Sequence, residues 1–195
     1  MRCFSLATAF SHGDFRFRLR QAGYSLYDLM VTSTVVGVLG VGAVSMNGLV
    51  QDTRMTTEVN ELLTHLSLTR SEAIKRGSAA TLCSSTTFAA CQGSAEWHTG
   101  WIMFEDPNGN GRLEAGEPIL RVKQAPAIKS LHLGARYPGN GHWITYEADG
   151  TTKQNGTFTF CDNRGFEKAK AVIFNNAGRP YVSSKTWEKK PLNCT

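Results

Sequence analysis

The chain has 195 residues, with 21 Lys and Arg against 16 Asp and Glu, a formal net charge of +5 and 41% hydrophobic residues. This length suits one globular domain with an appendage, and the composition excludes a repeat or low-complexity protein. The sequence contains no Walker or dinucleotide-binding glycine motif, no G-x-S-x-G serine setting and no histidines at metal-ligand spacing. It therefore indicates no enzyme and no catalytic residue.

The N-terminal part places basic residues ahead of an apolar stretch. Four arginines and one aspartate precede Gly23, whereas Leu29–Val50 contains no charged side chain. As a helix, this stretch is long enough to cross about 30 Å of hydrocarbon at about 1.5 Å per residue. Arginines ahead of such a span favour a cytoplasmic N-terminus and send the rest of the chain outward. An ordinary secretory signal would need an A-x-A cleavage site behind the apolar run, and none occurs there.

Helical spacing continues beyond the apolar stretch. Through residues 51–77 the apolar side chains recur mainly on one face, and two cations followed by Gly77 form a helix-end signal. We predict one helix of roughly 50 residues, with 24–50 as its transmembrane half and 51–77 as its amphipathic half. The apolar face of the second half comprises Met55, Val59, Leu62, Leu63, Leu66, Ala73 and Ile74.

Short β-type runs separated by turn residues follow from Ser78 onward. They predict an α+β protein in which the long helix packs on an antiparallel β-sheet head of residues 78–195. We expect the four tryptophans to fill the core of this head. The predicted strands are Ala80–Ser84, Gly100–Phe104, Ile119–Lys123, Leu131–Leu133, His142–Tyr146, Thr157–Cys161, Ala171–Phe174 and Tyr181–Ser183.

Residues 106–117 match the twelve-residue EF-hand pattern D-x-N-x-N-G-x5-E. In such a loop alternate oxygen ligands wrap a calcium ion, a glycine permits the sharp turn, and the last carboxylate closes the cage. The flanking segments are predicted as strands rather than helices, and Arg112 adds a positive charge. We therefore prefer a turn-rich hairpin loop and keep a calcium site as the alternative. Its side-chain ligands would be Asp106, Asn108, Asn110 and Glu117.

The segment at the start of the predicted helix is similar to the class III signal of type IV pilins and type II secretion pseudopilins. It reads Gly23-Tyr24-Ser25-Leu26-Tyr27-Asp28-Leu29-Met30, with Tyr24 and Asp28 where the family normally has Phe and Glu. The resemblance implies that residues 1–23 are a leader, that prepilin peptidase cuts after Gly23, and that the new amine of Tyr24 is methylated. It also implies that Asp28 pairs with the freed amine of a neighbouring subunit. The alternative is an Asp28 hydrated near the lipid headgroups that caps its own helix.

The head resembles the FimT/FimU minor pilins and the GspH pseudopilins more specifically. The resemblance rests on Leu68–Gly77, the Gly100–Phe104 strand, the Asp106–Glu117 loop and the Asn176–Arg179 turn, which recur in the same order. It implies a pilin-like fold, other major and minor pilins as partners, and a role in priming or capping a type IV pilus. It also implies a single-pass inner-membrane protein with a periplasmic head that enters the pilus on assembly. A pseudopilin of type II secretion is the alternative function.

Five cysteines occur, and Cys3 lies in the implied leader. The other four permit three pairings in an oxidising compartment, of which we favour Cys83–Cys91 and Cys161–Cys194. The alternatives are free buried thiols or a zinc site, although no CxxC or CxxH spacing supports zinc.

The C-terminal region interleaves basic and aromatic residues. Basic side chains neutralise phosphates, and aromatic rings stack on exposed bases. The FimT branch is associated with DNA binding through a Gly-Arg-x-Arg motif, of which Gly178 and Arg179 match and Tyr181 replaces the second arginine. DNA is therefore a candidate partner, and a solvated basic face or acidic neighbours in a tip complex are the alternatives. The residues that would contact DNA are Arg179, Lys185, Lys189 and Lys190.

Overall fold

The computed structural model describes residues 23–125, 132–136 and 142–194, with backbone alone at 39–46 and 132–136. The implied leader up to residue 22, including Cys3, lies outside the described residues. The chain divides into two compact units, one ending at Met46 and the other beginning at Asn47. In the described residues, no helix combines the length and the hydropathy that crossing a membrane requires. The transmembrane half at 24–50 therefore stays a prediction, and its side chains at 39–46 lie outside the described set.

The first element is the helix α1, Leu26–Arg76, which agrees with the predicted helix to within two residues at its start. Ser25 caps its N-terminus, since the hydroxyl of Ser25 accepts a hydrogen bond from the Tyr27 N–H at 3.3 Å. At the other end Lys75 and Arg76 occupy the last turn, where their positive charges interact favourably with the partial negative charge of the helix terminus. The helix-end signal predicted ahead of Gly77 is thus confirmed.

Eight strands form two antiparallel four-stranded sheets. The first sheet has the order β3-β2-β1-β5 and the second β4-β6-β7-β8. The α+β architecture expected from the sequence, a long helix with antiparallel sheets, is confirmed, with the head divided between two sheets. The strands are β1 Ala80–Ser84, β2 Gly100–Glu105, β3 Ile119–Gln124, β4 His132–Arg136, β5 Trp143–Tyr146, β6 Gly156–Cys161, β7 Lys170–Phe174 and β8 Tyr181–Ser183.

One buried cluster joins α1 to the inner faces of both sheets. Five helix residues contribute, and each fully buried aliphatic side chain stabilises the fold by about 1.5–3 kcal/mol. Ile74 was expected in this face but is 50% exposed, because it lies about 100° around the helix from Ala73, which is buried. The cluster comprises Met55, Val59, Leu62, Leu66 and Ala73 of α1, Ala80, Leu82, Trp101, Met103, Ile144 and Tyr146 of the first sheet, Phe158, Phe160, Val172 and Phe174 of the second, and Trp97 just ahead of β2.

The outer face of each sheet is also covered by a neighbouring segment of the chain, and a disulfide lies beside each covering segment. The outer face of the first sheet packs beneath the loop that Cys83–Cys91 closes, with Ile102 and Phe104 buried there. Leu192 covers Ala171 and Ile173 on the outer face of the second sheet, next to Cys161–Cys194. The cysteine pairing in the structure is the pairing favoured from the sequence.

Candidate functional site

The predicted processing segment lies at the start of the described chain. Gly23 and Tyr24 precede α1, and the Tyr24 side chain is 84% exposed. Asp28 lies in the first helical turn, where its carboxylate accepts a hydrogen bond from the Ser25 N–H at 3.2 Å. Ser25 and Asp28 therefore form a reciprocal cap, in which each side chain accepts a backbone N–H of the helix start.

The loop between β2 and β3, residues 106–118, is organised from inside by Asp106, which is fully buried. One oxygen of its carboxylate accepts hydrogen bonds from the Thr81 hydroxyl at 2.6 Å and the Gly111 N–H at 2.9 Å. The other oxygen accepts the Asn110 N–H at 3.1 Å. Gly111 has φ +72°, and a Cβ there would lie 2.2 Å from the Trp143 ring. The close approach of Trp143 thus explains why glycine occupies position 111, without a bound metal ion.

The remaining predicted calcium ligands bond within the same loop. The side-chain amides of Asn108 and Asn110 donate to the Glu114 carboxylate at 3.0 and 2.9 Å. The Glu117 carboxylate accepts the Glu114 N–H at 2.8 Å. Across the residues that the structure describes, no group of three or more His, Cys, Asp or Glu is placed to hold a metal ion. The loop is a hairpin connection, and calcium binding by it stays a prediction.

The Gly178-Arg179 motif divides into a structural residue and an exposed one. Gly178 is buried with φ +69°, and a Cβ there would lie 2.2 Å from the Gly150 carbonyl oxygen. Only glycine fits this close approach of two turns. Arg179 is exposed and is the member of the motif that can contact a partner.

Beyond β8, residues 184–194 form a segment that we call the C-terminal strap. It turns tightly around Trp187: the Thr186 N–H donates to the Lys190 carbonyl at 2.9 Å, and a β-bridge pairs Lys185 with Pro191. Trp187 is 70% exposed on this turn, which contradicts the expectation that all four tryptophans fill the core. The indole lies outside because the strap covers its sheet with Leu192 instead.

The four predicted DNA contacts are all exposed, and three of them, Lys185, Lys189 and Lys190, lie on the strap around Trp187. Lys190 forms an ion pair with Glu188. Two other cations of the C-terminal region are not part of this surface. Arg164 pairs with Asp52, and Lys170 donates to the Thr56 hydroxyl at 2.8 Å, so both fasten the head to α1.

A half-buried ion cluster lies where β3 meets α1. The ammonium group of Lys123 pairs with the carboxylates of Glu58, at 3.6 Å, and Glu61. Burial raises the pKa of Glu58 even though Lys123 acts in the opposite direction. On the next turn of α1, burial lowers the pKa of His65. The helical pattern did not predict a buried carboxylate at position 58.

Comparison with known proteins assigns the class. Two crystal structures of the type IV minor pilin FimU from Pseudomonas aeruginosa strain PAO1 have similar folds. One is 21% identical with a TM-score of 0.54, and the alignment covers 72% of this chain and 95% of FimU. The other is 22% identical with a TM-score of 0.51, over 72% and 99% of the two chains. The fold is therefore that of a pilin-like protein.

The family follows from the sequence match. The model of the family described as type II transport protein GspH matches residues 58–178. The chain belongs to this GspH family, and the resemblance derived from its motifs is confirmed. The search among curated proteins gave no match.

Sequence reasoning missed two features of the surface. It did not distinguish Trp187 from the buried tryptophans, although its lysine-rich surroundings could have indicated exposure. It also did not identify β3 and β8 as edge strands, because strand order depends on pairings between distant segments.

Proposed function

We propose that the chain is a minor pilin subunit of type IV pilus biogenesis that helps to prime or cap the pilus. The observation that carries this proposal is the combination of GspH family membership with a fold similar to that of a type IV minor pilin. The position of α1 supports it, since the helix begins three residues after Gly23 and supplies the core of the head. Deletion of the gene should reduce surface pili, and plasmid-borne wild type should restore them. Unchanged piliation after deletion would overturn the proposal.

We infer that maturation occurs by cleavage between Gly23 and Tyr24. Both residues are exposed ahead of the helix, as a peptidase substrate requires. Mass spectrometry of the mature protein should find an N-methylated Tyr24 at its start. A chain that retains Met1, or one cut beyond Val50, would contradict this assignment.

The assembly role of Asp28 is a further part of the proposal. Its carboxylate already accepts one N–H at the helix start, which shows that it can accept donors there. The freed amine of a neighbouring subunit would be a stronger, charged donor. Asp28→Asn keeps the size and weakens the acceptor, whereas Asp28→Glu keeps the charge. Pilus counts should fall for the first variant and be retained for the second.

The proposed subunit is anchored in the inner membrane by residues 24–50 before assembly, with the head from 78 onward in the periplasm. The charge-free sequence Leu29–Val50 supports this arrangement. In membrane fractions, the mature chain should resist carbonate extraction, and its head should be digested by protease added to spheroplasts. Release of the chain into the carbonate supernatant would contradict the proposed membrane anchor.

A pseudopilin of type II secretion is the alternative, and the description of the matching family favours it. Deletion phenotypes distinguish the two functions. Lost secretion of exoproteins with intact pili would indicate the secretion system, whereas lost pili with intact secretion would indicate the pilus.

DNA binding during uptake is a second candidate function. It is favoured by the exposure of Arg179, Lys185, Lys189 and Lys190 around the exposed Trp187. Such binding should weaken as salt rises, because counterions compete for the phosphates. A mobility-shift assay with duplex and single-stranded DNA tests it. No shift at about 50 mM salt, where electrostatic binding is strong, would exclude this function.

A further inference from the structure

Both sheets end in an edge strand that exposes apolar side chains. β3 ends the first sheet and β8 the second. Ile119 and Val122 of β3 are 40% and 46% exposed, and Tyr181 and Val182 of β8 are 48% and 45% exposed. An edge with unpaired backbone groups and exposed apolar side chains can add another strand or surface.

The segments beside these two edges carry opposite charge. The β2–β3 loop, residues 106–118, has three carboxylates against one guanidinium, a net charge of −2. Asp106 is buried, so Glu114 and Glu117 are the carboxylates that a partner can reach. Residues 179–190, which include β8 and the strap turn, have four cations against Glu188, a net charge of +3. Both edges are thus apolar, and the segments beside them carry net charges of opposite sign.

Both charged segments are also held in fixed conformations. The Glu114 carboxylate is held by the amides of Asn108 and Asn110, and the buried Asp106 organises the loop beneath them. The strap turn is fastened by its own backbone hydrogen bonds and by the Cys161–Cys194 disulfide. Among the described residues, no ion pair joins loop to strap within one chain. Each is thus available to another copy, at a low entropic cost of ordering.

We propose that the β3 edge and acidic loop of one copy dock against the β8 edge and C-terminal strap of a second copy. Trp187 supplies the aromatic anchor of this contact, and the lysines meet Glu114 and Glu117 of the neighbour. The contact joins two different surfaces, so a joined pair keeps one free β3 edge and one free β8 edge. Copies therefore add in a row instead of closing into a symmetric pair. This contact is independent of the proposed pilus function, because it requires neither processing nor a membrane.

Carbodiimide cross-linking of the full chain in detergent tests the contact. Unlabelled and nitrogen-15-labelled chains are mixed, so that a cross-link between isotopes proves that two copies are joined. We expect mixed-isotope peptides that link Lys185, Lys189 or Lys190 to Glu114 or Glu117. Their yield should fall about tenfold at about 1 M salt, where the Debye length is about 3 Å. Cross-links within single chains alone, or equal yields from the exposed Lys153, would overturn the proposal.

Charge reversal gives the second test. A strap variant carries Lys185→Glu, Lys189→Glu and Lys190→Glu, and a loop variant carries Glu114→Lys and Glu117→Lys. Neither should associate alone in analytical ultracentrifugation, whereas an equal mixture should associate, because opposite charges again face each other. Lys153→Glu, at a site 86% exposed in its side chain, is the control for net charge and should behave as wild type.

Thermal unfolding of the strap variant must match that of wild type, since its altered side chains lie at the surface. The loop variant loses the hydrogen bonds that Glu114 and Glu117 accept, so its thermal unfolding must still show one cooperative transition above the assay temperature. A mixture that stays monomeric would overturn the proposal. So would a strap variant that loses DNA binding while the wild type shows no self-association, because that result assigns the strap to nucleic acid.

Discussion

Arg164 joins two carboxylates that lie 110 residues apart in the sequence, donating to Asp52 of α1 and to Asp162 beyond β6, each at 2.6 Å. The Asp162 side chain is only 8% exposed, whereas that of Asp52 is 56% exposed. Hydrogen bonds from Arg164 lower the pKa of both carboxyls. The guanidinium thus fastens the β6–β7 connection to the beginning of the head-packing part of the helix.

Arg164→Met should lower the melting temperature more than Asp52→Asn, because only the first change leaves the buried Asp162 without its partner. A carboxyl with a lowered pKa in the folded state stabilises the fold at neutral pH and loses this effect as pH falls through that pKa. The difference between wild type and Arg164→Met should therefore shrink below about pH 4, near the ordinary Asp value. Melting curves from neutral to acidic pH test this; a constant difference would contradict it.

Lys123→Met should lower the free energy of unfolding by about 2 kcal/mol, because it leaves the buried Glu58 carboxylate without its cation. In the double variant Glu58→Gln/Lys123→Met the loss of unfolding free energy should be smaller than in Lys123→Met, because no buried carboxylate remains at position 58. Denaturant titration of the three proteins measures this coupling. Equal losses in the single Lys123 variant and the double variant would show that Glu58 does not depend on Lys123.

Glu58→Gln alone should change the free energy of unfolding in a pH-dependent way, and the burial of Glu58 determines the sign of this change. The pKa of Glu58 is raised in the folded state, so the charged form opposes folding once pH exceeds that pKa. The glutamine variant should therefore gain stability relative to wild type at neutral pH. This gain should disappear below about pH 4, where Glu58 is protonated in both states. A gain that increased on acidification would refute the assignment.

Gly178→Ala should destabilise the head by about 3 kcal/mol, from left-handed backbone strain and overlap with the Gly150 carbonyl. Gly109→Ala is the matched control. It also has positive φ, but the nearest atom to its Cβ would be a Thr145 methyl at 4.0 Å. Its cost should be about 1 kcal/mol. Similar losses at both sites would show that the close approach at Gly178 contributes little.

Removal of each disulfide should have unequal effects. Replacing both cysteines of a pair by serine should cost about 2.6 kcal/mol for Cys83–Cys91 and about 3.8 kcal/mol for Cys161–Cys194, on the loop-entropy model. The sequence separations are 8 and 33 residues. Limited proteolysis should cut the strap only in the second variant. An intact strap in that variant would mean that Leu192 packing alone holds it.

Asp106→Asn should disorder the β2–β3 loop and cost about 2 kcal/mol, because an amide nitrogen would face the donors of Thr81 and Gly111. Isothermal titration with calcium separates this structural function from the alternative ligand function. We expect no calcium binding by the wild type at millimolar concentration, since both Asp106 oxygens already accept hydrogen bonds. Measurable heat that vanished in the variant would establish the calcium site instead.

The sequence predicted the helix and most strand positions well, because those signals are local. Helical periodicity, the cations ahead of Gly77 and the turn residues act within a few positions. It did not predict which residues beyond the helix make contacts with it. Ile74 was expected on the apolar face but is exposed, and Glu58, for which the pattern made no prediction, is buried, since the two sheets decide what faces each helix position. Trp187 was misplaced for the same reason: another residue, Leu192, occupies the space on its sheet.

The predicted sites show the same limit. The loop pattern at 106–117 identified residues that do lie together. However, two different requirements, the internal structure of the loop and cation binding, select the same residue pattern. Buried hydrogen bonding and packing against Trp143 require the same aspartate and glycine that a cation loop would. Of the predicted DNA contacts, Lys185, Lys189 and Lys190 lie together on the strap because they are close in sequence. Arg164 and Lys170 of the same region contact the helix, which their charge alone does not indicate.

A single helical face, from Met55 to Ala73, contacts both sheets in one cluster. Insertion or deletion of one residue within it would rotate every later position by about 100°. That shift would misalign the helix with both sheets together, and no local repacking could compensate. During evolution this segment can therefore accept substitutions, whereas insertions and deletions within it are not tolerated. Among relatives of this chain, length changes should fall in the surface connections between strands.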